Sequence, residues 1–182
     1  MKRAIVTPAV LPPSALAELK QWLGITTAHD DALLGNLLYA GLEVCEAFTG
    51  LVPLAMGYEE IRPQANGWQK LATLPVQSIV SLEALDAAGN RTGLPATDYA
   101  IDLDESGCGR FRLLRPGNTR RVAVGFVAGL APDWENLPEA LRHGIVRLAA
   151  HQHREREADG AAPVPPASIA ALWRPWRRIS LL

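Results

Sequence analysis

His151-Gln152-His153, with His143 and Glu155 nearby, is the nearest thing in this chain to a metal cluster. The surrounding residues read as helix, where positions two apart point about 200° from each other. His151 and His153 therefore cannot share one ion. His143 and His151 are eight positions apart, more than two helical turns and too far for a common ligand sphere. Asp98, Asp102, Asp104 and Glu105 suggest paired carboxylates or a calcium loop, but the EF-hand spacing is missing and acids beside Ser106-Gly107 read as a solvated turn. Ser14, Ser78, Ser81, Ser106, Ser168 and Ser180 do not sit in a nucleophile elbow. The glycines form neither a dinucleotide fingerprint nor a P-loop. Cys45 falls on the apolar stripe of a helix, as a core thiol does. No metal, no cofactor and no enzymatic activity are expected.

Two cationic features remain. On the last long helix, at about 100° per residue, His143, Arg147, His151 and Arg154 fall opposite Leu141, Ile145, Leu148, Ala149 and Gln152. That stripe is either a solvated surface or a face turned toward DNA or an acidic neighbour. The second feature is the C-terminal run R-P-W-R-R-I-S-L-L: from Gly160 onward there is no acid, while Arg174, Arg177 and Arg178 stand among Trp173 and Trp176. Tryptophan and arginine are the residue types favoured at interface anchors. Leu172, Trp173, Arg174, Pro175, Trp176, Arg177 and Arg178 are therefore expected to form a docking segment, with folding back onto its own domain as the alternative.

The elements that must position these residues follow from pattern. With 182 residues, 48% apolar and 20% charged, the chain fits one domain or a domain with an appendage. A net charge of −1 predicts no general attraction to nucleic acid or membrane. Two distant cysteines, Cys45 and Cys108, suit a reduced cytosolic chain. Pro8, Pro12 and Pro13 interrupt the basic N-terminus before it becomes a signal-peptide core. No apolar run approaches the ~18 residues of a membrane span. A soluble protein made in the cytoplasm is expected.

Residues 1–13 should be extended. Ser14 can cap a helix over Ala15–Leu23, ended by Gly24. Thr27 and Asp30 have capping-box spacing for a second helix over residues 27–49, whose stripe is Leu34, Leu38, Leu42, Cys45 and Phe48. Dense prolines and glycines then break the chain into candidate strands at Ala55–Arg62, Val76–Leu85, Tyr99–Leu103, Arg110–Leu114 and Arg121–Val127. Pro138 opens a third helix, to about Ala158. The expected fold is α+β: N- and C-terminal helices packed together through their stripes, with an antiparallel sheet or sandwich inserted over residues 54–128. Residues 1–158 would form this domain. Residues 159–182 would form a Pro-rich linker, a short helix from Ser168 through Trp173, and a tail.

Several short motifs, in order, resemble the head–tail connector (adaptor) proteins of tailed bacteriophages and gene transfer agents. At the front they are Leu19-Lys20, Asp30-Asp31-Ala32-Leu33-Leu34 and Glu46-Ala47-Phe48-Thr49-Gly50. In the middle they are L-P-V-Q-S-I-V-S-L at Leu74–Leu82, Asp86 with Gly89, and D-Y-A-I-D at Asp98–Asp102. At the back they are F-V-A-G at Phe126–Gly129, Leu137-Pro138, Leu141, and A-A-H-Q-H-R-E at Ala149–Glu155. The tryptophan-rich tail departs from the group. The resemblance implies a structural protein of the virion or virus-like particle, forming a homo-oligomeric ring, taken as a dodecamer, beneath the portal protein. Its further partners would be a tail-side stopper and, transiently, the DNA in the channel, with His143, Arg147, His151 and Arg154 on a subunit or lumen surface. The alternative is a small nucleic-acid-binding or regulatory domain using the cationic helix and tail, which the near-zero net charge argues against.

Overall fold

Val122, Val124 and Phe126 alternate along strand β8 (Arg121–Ala128) and are all buried, and Ala123 on the opposite face is buried too. A strand covered on both faces belongs in the middle of a sheet, and β8 is the middle strand of five. The computed structural model describes residues 2–115, 119–155 and 165–178. The chain divides into two compact units, Met1–Ala9 with Ala55–Gly129 and Val10–Leu54 with Leu130–Leu182.

The first unit is antiparallel throughout. It contains β1 (Lys2–Thr7), β2 (Met56–Pro63), β3 (Gln69–Lys70), β4 (Val76–Leu85), β5 (Arg91–Gly93), β6 (Tyr99–Leu103), β7 (Gly109–Leu113) and β8. One sheet has the order β1-β2-β8-β4-β5 and the other β3-β7-β6. The β2–β8 ladder runs without interruption from Met56 opposite Ala128 to Pro63 opposite Arg121. Within it Tyr58 and Phe126 are register partners whose rings stack at 5.8 Å, the cross-strand pairing that stabilises sheets. Residues 1–13 were expected only to be extended. The first of them instead complete the larger sheet as an edge strand, β1, paired with β2.

Glu60 on β2 is fully buried. Its carboxylate accepts the Thr73 amide at 3.1 Å, the Ala72 amide at 3.2 Å and the Thr73 hydroxyl at 2.9 Å, with the Arg62 guanidinium 3.9 Å away. These donors replace the water that the acid gives up, and they fix the chain entering β4.

The second unit contains α1 (Pro13–Leu23), α2 (Asp31–Thr49), α3 (Glu139–Arg154) and α4 (Ala167–Trp173), then a 3-10 turn over Arg174–Trp176. Leu34, Leu38, Leu42 and Cys45 of α2 are buried, as are Leu141, Ile145, Leu148 and Ala149 of α3. The two stripes meet: a Cβ placed on Gly41 would come within 3.0 Å of the Ile145 side chain. Gly50 ends α2 at φ +74°, a left-handed turn that glycine enters without steric cost, and its N–H closes on the Glu46 carbonyl at 2.8 Å.

Three helix starts differ from expectation. α2 begins at Asp31, after the expected capping box, and Asp30 at its N-cap makes no side-chain cap bond. Asp31, the first helical residue, instead pairs with Lys20 of α1 at 2.6 Å. Ser14 lies inside α1, where its hydroxyl donates to Glu135 at 2.5 Å. α4 starts at Ala167, and the Ser168 hydroxyl accepts from Arg147 rather than capping. Glu155 caps α3. The expected helix end at 156–158, the linker at 159–164 and the final residues 179–182 lie outside the described residues.

Candidate assembly surfaces

All four residues of the cationic stripe lie outside the core, and three converge. Arg147, His151 and Arg154 line a pocket of about 180 Å³ together with Trp22, Ser168 and Ile169. α3 brings Arg147, His151 and Arg154 together because positions four and seven apart return to one face. The Arg147 guanidinium is held by its 3.1 Å hydrogen bond to Ser168. His151 Nε2 lies 2.9 Å from Glu155, one turn on. Arg154 is exposed and has no ion-pair partner among the described residues. His143 does not line the pocket: its ring meets Trp22 edge-on at 5.1 Å and 85°.

The tail corrects an expectation. Trp173, expected to be held away from the domain as a docking anchor, is fully buried in its own helical unit. Its ring lies 6.0 Å from Phe48, and its Nε1–H donates to the Leu141 carbonyl at 3.3 Å. An indole is a large apolar surface with one donor, and here α3 offers both a cover and a carbonyl. The chain then continues along α2: the Arg177 guanidinium stands 5.5 Å over the Phe48 ring, and the Arg178 amide donates to the Thr49 carbonyl at 2.9 Å. Arg174, Pro175, Arg177 and Arg178 are exposed, while Leu172 and Trp176 are half-buried. The tail thus presents a basic rim with its main aromatic turned inward.

Composition alone did not reveal a further patch in the sheet unit. Trp68 is 43% exposed and carries the Arg112 guanidinium at 4.9 Å and that of Arg110 at 5.9 Å. Its signal was the alternation of Arg110 and Arg112 about Phe111, which places both cations on one face of β7.

Two other titratable groups serve structure. Asp104 accepts from the Ser106 hydroxyl and from the Ser106 and Cys108 amides, which lowers its pKa. Burial pushes the Cys45 thiol up to about 12. Among the described residues no three His, Cys, Asp or Glu side chains are grouped to hold a metal, and no helix is long and apolar enough to cross a membrane.

No protein-family profile and no curated protein matches the chain. Solved structures do match. A chain of the neck of an empty gene transfer agent particle, computed with C6 symmetry, is 27% identical with a TM-score of 0.78, over 100% of this chain and 98% of that one. A chain in the virion of a native gene transfer agent particle is 28% identical with a TM-score of 0.77, over 100% and 98%. A chain of the native particle's neck, computed with C12 symmetry, is 28% identical with a TM-score of 0.73, over 98% and 97%. The fold is that of structural neck proteins of such particles. The chain fits the head–tail connector (adaptor) family, as the motifs along its sequence imply.

Proposed function

We propose that this protein is a head–tail connector subunit that closes into a ring beneath the portal, joins the capsid to the tail-side stopper and lines the channel for DNA. The observation that carries the reading is a likeness spanning both chains almost end to end, to neck structures computed with C6 and C12 symmetry. A ring needs heterologous contacts that close on rotation, and the cationic pocket on α3 supplies one side of such a contact. It suits an acidic neighbour better than DNA, which must slide past and would be held by a strongly basic wall. The exposed Arg174, Arg177 and Arg178 are the residues that would meet the portal, now as a basic rim on a folded tail rather than as a free segment. Electron microscopy of the full chain mixed with its portal tests this. A ring seated on the portal is expected; particles that join heads to tails without this chain would refute it.

A further inference from the structure

We propose that Glu43 of one copy seats in the pocket formed by Arg147, His151 and Arg154 of the next, a contact that rests on the ring reading above and names its two sides. The pocket, at about 180 Å³, is below the ~300–1,000 Å³ typical of small-molecule sites and suits a single inserted side chain. Its cations are arranged in advance, since Ser168 holds Arg147 and Arg154 stands unpaired at the rim.

The complementary acid lies on α2. That helix contains no lysine or arginine. Ala32, Asn36, Tyr39, Glu43 and Ala47 are exposed along it at intervals of three and four, which draws one outward face. The opposite face, with Leu38, Gly41 and Cys45, is the one packed on α3. Glu43 has no ion-pair partner among the described residues. Ala47, one turn later, lets a neighbour approach, and Tyr39 one turn earlier can meet Trp22, 46% exposed at the pocket.

Acid and cations therefore lie on opposite sides of the α2–α3 pair and cannot meet within one molecule. A two-fold dimer would need both contacts on one face. Head-to-tail stacking satisfies one contact per copy and propagates, which is the arrangement that closes into a ring.

The test is native mass spectrometry of the full chain over a concentration series. Glu43→Arg, and separately Arg147→Glu with Arg154→Glu, should each raise the association midpoint about tenfold or more, as charge-pair loss at interfaces does. Glu43→Gln should do so to a smaller extent. All sites are at the surface, and circular dichroism checks that each variant folds. Combining the reversed charges should restore association. Unchanged association in the single-side variants, or no rescue in the combination, would overturn the contact. So would duplex DNA binding that the arginine variants abolish while association is unaffected. A wild-type chain that stays monomeric at every concentration also overturns it, while the connector reading, tested on portal and particles, would stand.

Discussion

Trp173 occupies the space where Gly144 has no side chain: a Cβ built on Gly144 would lie 2.2 Å from the indole nitrogen. Alanine at a helix interior normally gains about 1 kcal/mol over glycine. Here the sign reverses, because the added methyl must push the indole away from the Leu141 carbonyl. Gly144→Ala is expected to lower stability by about 1–3 kcal/mol, and Trp173→Ala by about 3–5 kcal/mol, read from urea midpoints. Deleting residues 172–182, which as a free tail would cost nothing, is expected to destabilise the helical unit comparably. An unchanged midpoint in that truncation would show that the indole does not pack there.

Glu60 makes a second test. Glu60→Ala leaves the Ala72 and Thr73 amides without their acceptor and should cost about 2–3 kcal/mol. Glu60→Gln keeps one carbonyl acceptor and should cost less. If alanine and glutamine are equivalent, the hydrogen bonds to 72–73 are not what stabilises the buried acid.

Thiol chemistry separates the two cysteines. Cys45 is buried with its pKa raised to about 12, so almost none is thiolate at neutral pH. Cys108 is half-buried. A maleimide under native conditions should label Cys108 and leave Cys45 untouched until urea is added. Native labelling of Cys45 would contradict its burial.

Acid pH should weaken one strand contact selectively. The Arg91 guanidinium, 2.5 Å from Glu59, holds that carboxyl below its ordinary pKa through hydrogen bonding. A depressed folded-state pKa adds stability above the unfolded value of about 4.3. That stability is lost as pH falls through the folded value. Arg91→Met should therefore destabilise the fold slightly at neutral pH, as loss of an exposed pair does. The gap to wild type should close toward pH 3, followed by chemical denaturation at each pH. A pH-independent gap would assign the loss to packing instead.

The helix pair was legible because its signal is local: Leu34, Leu38, Leu42 and Cys45 repeat at helical spacing, as do Leu141, Ile145 and Leu148. The start of α2 was not, since Thr27 to Asp30 can cap a helix or simply turn, and here the helix opens at Asp31 with no side-chain cap bond. β1 was hidden because Arg3 to Thr7 is exposed along its whole length, so no alternation marks it. Trp173 was read as an anchor for a partner because anchor and core share one composition. Only the lone Gly144, 29 positions earlier, held the information that the indole has a place at home. Spacing put His143, Arg147, His151 and Arg154 on one face; three of them line the pocket and His143 does not, and the pocket also needs Trp22 and Ser168 from other helices, which no periodicity on α3 can show.

The pairing of β1 with β2 sets an order of events during synthesis. β1 is made before β2, its ladder partner, which begins at Met56. At ~5–20 residues per second, the strand waits roughly 3–10 s on the ribosome with Ile5 and Val6 uncovered, and both stay more than half exposed even in the finished fold. Such a strand is a template for mispairing between nascent chains. Arg3 before the pair, and Pro8 just after it, are residue types that discourage that outcome until β2 arrives.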